Sequence, residues 1–169
     1  MVSGIINNFR KMKCFRLFFI SLGLCISTVQ GQIYLYENFE TGTLPSGWDY
    51  DVIQGDKLFT YANGGGTICL DAECNDILRF PLNAAEGNFN ALLFEPSYNT
   101  QIARIITPKL VLGASAKPEL FFYRAQVAYG PDFNKLRIFF RTGDTGTWHL
   151  LEDYLTPTED WEETRIFLP

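Results

Sequence analysis

The chain has 169 residues, with 14 Lys+Arg against 19 Asp+Glu, a net charge of −5 and a single histidine. An acidic surface repels phosphate backbones and anionic bilayers, so nucleic-acid and membrane-surface partners are not expected, whereas hard cations are acceptable guests. Three Trp, eight Tyr, 15 Phe, 14 Gly and eight Pro favour strands and turns over long helices.

The first element is a leader. Arg10, Lys11, Lys13 and Arg16 supply positive charge, Leu17–Ile26 is a short apolar run, and Ser27–Gly31 is polar with small residues. That is the physical layout of a secretory signal, and the run is too short to span a bilayer. The reading is residues 1–31 as signal peptide, with Met12 an alternative start, and 32–169 as one extracellular β-sandwich domain. Leu24 before Cys25 disfavours lipidation. Four of the basic residues and none of the acidic ones precede Gln32, so the remainder carries −9. Cys69 and Cys74 are its only cysteines. In an oxidising compartment the default for such a pair is a local disulfide, with free thiols the alternative, and a zinc site would need two further ligands.

Beyond the leader, Ile33–Phe39 reads as a strand and Thr41–Gly47 as a Gly/Pro turn, with Trp48 opening the next element. Tyr61–Gly66 reads as a loop with too little side-chain mass to pack. Glu119–Ala125 is continuously apolar enough for a central strand. Leu136–Arg141 alternates with period two, Thr142–Thr147 is a hairpin connection, and Trp148–Leu151 returns from it. A last strand opens at Glu163 shortly before Pro169, from which the natural chain is expected to continue. Short strands separated by turn signals indicate an all-β antiparallel sandwich or barrel.

Few residues point to catalysis. His149 has no accompanying nucleophile motif, and Gly64-Gly65-Gly66 lacks the lysine of a phosphate loop. The carboxylates Glu152, Asp153, Glu159, Asp160, Glu162 and Glu163 look like a solvated acidic face rather than a glycosidase pair. Trp48 and Trp148 read as core or half-exposed packing residues. Tyr129 and Phe133, in the loop Tyr129-Gly130-Pro131-Asp132-Phe133-Asn134, are the better candidates for contacting a ligand, because sandwich-end loops carry binding.

Three passages carry a family resemblance: Tyr36-Glu37-Asn38-Phe39-Glu40-Thr41-Gly42-Thr43-Leu44-Pro45-Ser46-Gly47-Trp48, then Ile106-Thr107-Pro108-Lys109-Leu110, then Lys117 through Ala125 into Lys135–Ile138. Together they resemble the cleaved-adhesin or choice-of-anchor J domain of Bacteroidetes surface proteins, which is related in architecture to MAM domains and gingipain adhesin domains. The resemblance implies a jelly-roll β-sandwich of the galactose-binding or lectin-like sort, displayed outside the cell for adhesion. It also implies a structural calcium near the Phe-Glu pair, with Glu40 and then Asp49 or Asp51 as ligands, since calcium collects six to eight oxygens. Two departures stand out. No Asp-Asp-Val-like passage follows Leu168, and Asp49, Asp51 and Asp56 are spread thinly where the family clusters them.

The expectation is therefore a non-catalytic binding module for a carbohydrate or an extracellular protein. The alternatives are an accessory domain of a secreted hydrolase and a structural spacer.

Overall fold

The structure is a computed structural model that describes residues 32–95, 100–113, 117–128 and 133–169, together with the backbone of Val2–Ile5. The rest of the expected leader lies outside the described residues. The strands in chain order are β1 Val2–Ile5, β2 Asp49–Gln54, β3 Thr60–Ala62, β4 Thr67–Cys69, β5 Ile77–Arg79 and β6 Asn90–Leu92, followed by β7 Ile102–Ile106, β8 Glu119–Arg124, β9 Leu136–Phe140, β10 His149–Tyr154 and β11 Glu162–Phe167. Every pairing is antiparallel. The described residues form one three-stranded sheet, β1-β8-β11, and four two-stranded ones, β2-β7, β3-β6, β4-β5 and β9-β10. Among the described residues there is no helix, and the architecture is all-β and consistent with a β-sandwich.

Strand β8 is central, as its apolar run predicts. Phe121 and Phe122 point to opposite faces, yet both are buried, which is what a strand covered on two sides requires. β11 pairs with it from Glu162↔Arg124 to Phe167↔Glu119 and buries Thr164 and Ile166 at alternate positions. Phe122 meets the ring of Tyr154 edge-on at 6.3 Å, which joins this sheet to the β9–β10 pair. In β9, Leu136, Ile138 and Phe140 are half-buried while Arg137 and Phe139 face outward, the alternation read from the sequence.

Two expectations are corrected. Ile33–Phe39 is not a strand; Tyr36 makes only an isolated bridge. The side chains of Glu37 and Asn38 bond the amides of Phe39 (2.5 Å) and Glu40 (3.3 Å), and such local bonds compete with a sheet ladder. Phe39 itself sits at φ 62°, which turns its ring inward, 1% exposed, against Trp48 (5.6 Å) and Tyr61 (5.7 Å).

The stretch Tyr61–Gly66 also packs. Thr60–Ala62 forms β3, and Gly64, Gly65 and Gly66 are all buried. A Cβ on Gly65 would overlap the carbonyl of Phe80, and one on Gly66 the ring of Phe94. The absence of side chains is thus what lets the Phe80–Pro81 segment and the Phe94 ring close onto this backbone, with Gly65 N donating to Pro81 O at 2.7 Å.

Candidate functional site

Glu40 follows the inward turn at Phe39. Its Oε1 accepts from the amides of Asn88 (2.7 Å) and Phe89 (3.1 Å), and its Oε2 from Asn88 Nδ2 (3.1 Å). The Asn88 amide foremost, then the Phe89 amide and the Asn88 side chain, hold its carboxyl below the usual carboxylate range against a small opposing desolvation. Gly87, at φ 63°, stands against the same carboxylate, where a Cβ would overlap it. Glu40 is thereby a clasp on the Gly87–Phe89 segment.

The other two expected calcium ligands have separate partners. Asp49 Oδ1 accepts from the amide of Tyr50 at 2.8 Å. Asp51 is ion-paired with Arg104, its cross-strand partner on β7. Among the described residues no three His, Cys, Asp or Glu side chains are gathered as a metal-holding group.

Of the two loop aromatics, Tyr129 lies outside the described residues, and Phe133 is half-buried. The strands flanking that loop are fixed by Gln126, 2% exposed. Its Nε2 donates to the carbonyls of Asn134 (2.7 Å) and Tyr154 (3.0 Å), and its amide to Thr158 Oγ1 (2.8 Å). Its Oε1 accepts from Arg124 Nη1 at 2.6 Å. Arg124 in turn pairs with Glu162 at 2.5 Å and lies 4.3 Å over the ring of Tyr154. The cavity between this latch and the glycine seam is small, about 30 Å³, and is lined by Gly66, Phe94 and Gln126, with room for ordered water.

Cys69 and Cys74 form a disulfide across the turn from β4 to β5. Within that turn Asp71 accepts from the amides of Asn75 (2.8 Å) and Asp76 (3.3 Å). His149 is exposed and lies across the hairpin from Phe140, ring to ring at 5.4 Å.

A cluster that the sequence reading missed surrounds Trp148. Arg104 and Arg141 each place their guanidinium carbon 4.5 Å from the centroid of its ring. The register explains Arg141: since Phe140 pairs with His149, the next residues outward on the hairpin are Arg141 and Trp148. Their positions flanking the turn Thr142–Thr147 were a readable signal for that half. Arg104 arrives from a different sheet, β2–β7, and nothing local in sequence announces it. Trp161 is tied down instead, its Nε1 donating to Asn83 O at 2.8 Å.

No family model, no curated protein and no solved structure matches this chain. The functional reading therefore stands on its residues and geometry.

Proposed function

We propose that the chain is an extracellular, non-catalytic binding module on a jelly-roll sandwich, taking a carbohydrate or an extracellular protein as ligand. The observation that carries this reading is the amount of large apolar surface its strands turn to solvent. On β2 and β7, Tyr50, Val52, Ile53 and Ile102 are exposed by 40–58%. On the β9–β10 pair the facing residues Phe139 and Leu150 are both exposed. Outward apolar patches rimmed by polar groups mark contact surfaces. The closed Cys69–Cys74 bridge, both of its residues exposed, supports an oxidising compartment. So does the leader layout, and the resemblance of Tyr36–Trp48 to surface-adhesin domains supports the adhesive role.

A glycan and extracellular-protein array probed with the secreted protein tests the reading. Reproducible binding that is lost on substituting Tyr50 and Phe139 supports it; silence across the array favours a spacer. Calcium belongs to the proposal as a structural ion at Glu40. Heat on calorimetric titration together with a raised Tm supports that part, and the lack of both removes it.

A further inference from the structure

The cluster around Trp148 defines a more specific site, and the inference rests on the binding-module reading above. Both guanidinium carbons lie 4.5 Å from one ring centroid, so they are separated by at most twice that distance. Arg104 has a resident acid, Asp51, while its Nε is buried with no hydrogen-bond partner. Arg141 is exposed and forms no ion pair among the described residues. Two cations and one carboxylate leave a local excess of one positive charge, in a chain whose net charge is −5.

Stacking on an aromatic ring uses the face of a guanidinium and leaves its N–H edge free. The guanidinium carbon of Arg141 lies 4.5 Å over the Trp148 ring, and its N–H edge can meet the two oxygens of a carboxylate or sulfate. The overall acidic field acts the other way on larger anions: a polyanion would meet the surrounding negative surface at every charge but one. The outward Leu150 and Phe139 nearby in β10 and β9 offer the apolar side that a sugar ring needs and a free ion does not.

We propose that Arg141, with Arg104 and Trp148, forms a subsite for one acidic sugar residue, carrying a carboxylate or a sulfate, at the end of an otherwise neutral glycan.

Titration of the purified protein with glucuronate, followed by tryptophan fluorescence and by NMR of the Trp148 indole, tests the site. Saturable millimolar binding is expected, weakened at least tenfold in Arg141→Gln and strengthened in Asp51→Asn, which frees the second guanidinium. Glucose 6-sulfate should compete. The neutral methyl ester of glucuronate and plain glucose should not. The proposal is overturned by equal binding of the ester, by unchanged affinity in Arg141→Gln, by acetate binding as tightly as glucuronate, or by heparin binding more tightly per sugar. If glucuronate fails while a neutral glycan or a protein binds on the array, only this subsite falls. Silence in both experiments brings down the module reading as well.

Discussion

Glu40 and Asn88, 48 residues apart, are joined twice: Oε1 accepts the Asn88 amide at 2.7 Å and Oε2 its side-chain amide at 3.1 Å. With the Phe89 amide, three donors converge on one carboxylate. These bonds favour the ionised form, so the carboxyl titrates below its unfolded value. The stabilisation it brings is complete above the unfolded carboxylate range and is lost as pH falls through the depressed folded value. Glu40→Gln should lower Tm by a few degrees at neutral pH and flatten the loss of Tm on acidification. Thermal melts of both proteins from pH 7 down to pH 3 check this; parallel curves would show that the clasp contributes nothing.

The glycine seam makes a sharper contrast. At Gly66 a new Cβ would overlap the Phe94 ring, whereas at Gly113 it would meet nothing within 4 Å. Gly66→Ala should cost on the order of 1–3 kcal/mol, as overpacking of a dense interior does. Gly113→Ala should fall within about 0.5 kcal/mol of the parent, as for a surface change away from any special feature. Urea unfolding of the two variants side by side measures the difference. Equal midpoints would mean that the seam opens freely.

What the sequence showed, and what it hid, divides along the range of the interaction. The period-two pattern of Leu136–Phe140, the hairpin after it and the apolar run of Glu119–Arg124 are local signals, and the structure carries strands at each. The Cys69–Cys74 bridge, five residues apart, was legible for the same reason. Ile33–Phe39 was misread because its run Ile33–Tyr36 has strand-like composition, but the Glu37 and Asn38 side chains capture the amides of Phe39 and Glu40. Gly64–Gly66 was misread because composition cannot tell an exposed linker from a seam that needs room for Phe80 and Phe94. Glu40 was singled out as a calcium ligand; the partners the structure gives it, Asn88 and Phe89, are remote in sequence and carry no motif. The joining of Arg104 to Trp148 spans two sheets, and no single-sequence periodicity encodes it.

Gln126 satisfies four separate groups from a position 2% exposed. Gln126→Ala would keep the backbone bond to Thr158 but strand the carbonyls of Asn134 and Tyr154 and leave Arg124 Nη1 unpaired. A buried polar group without its partner costs about 1–3 kcal/mol. A total loss of roughly 3 kcal/mol is expected, because Glu162 still holds Arg124 from its other nitrogen. Chemical denaturation gives the value. A loss under about 1 kcal/mol would indicate that water replaces the side chain. Amide exchange should quicken only around Tyr154, whose carbonyl loses its donor, while the Thr158 amide, held by the Gln126 backbone carbonyl, and the rest of β10, paired with β9, should be unchanged.

The bridge between Cys69 and Cys74 closes a short loop whose turn already has Asp71 bonded to the amides of Asn75 and Asp76. In the chain-entropy account a loop this size contributes about 2 kcal/mol by restricting the unfolded chain. Cys69→Ser/Cys74→Ser should therefore lower stability by about that amount while leaving the β2–β7 ribbon and the Trp148 cluster intact. The ribbon lies on other strands, the cluster on β7 and at the ends of the β9–β10 connection, and neither includes a residue of the β4–β5 turn. Addition of dithiothreitol to the parent should reproduce the double variant's melting curve, and should leave the double variant's own curve unmoved. If the reductant lowered the Tm of the double variant as well, the bridge would not be the source of the loss. If the double variant lost the Trp148 indole signal, the β4–β5 turn would be coupled to the far ribbon through contacts beyond those that define either pair.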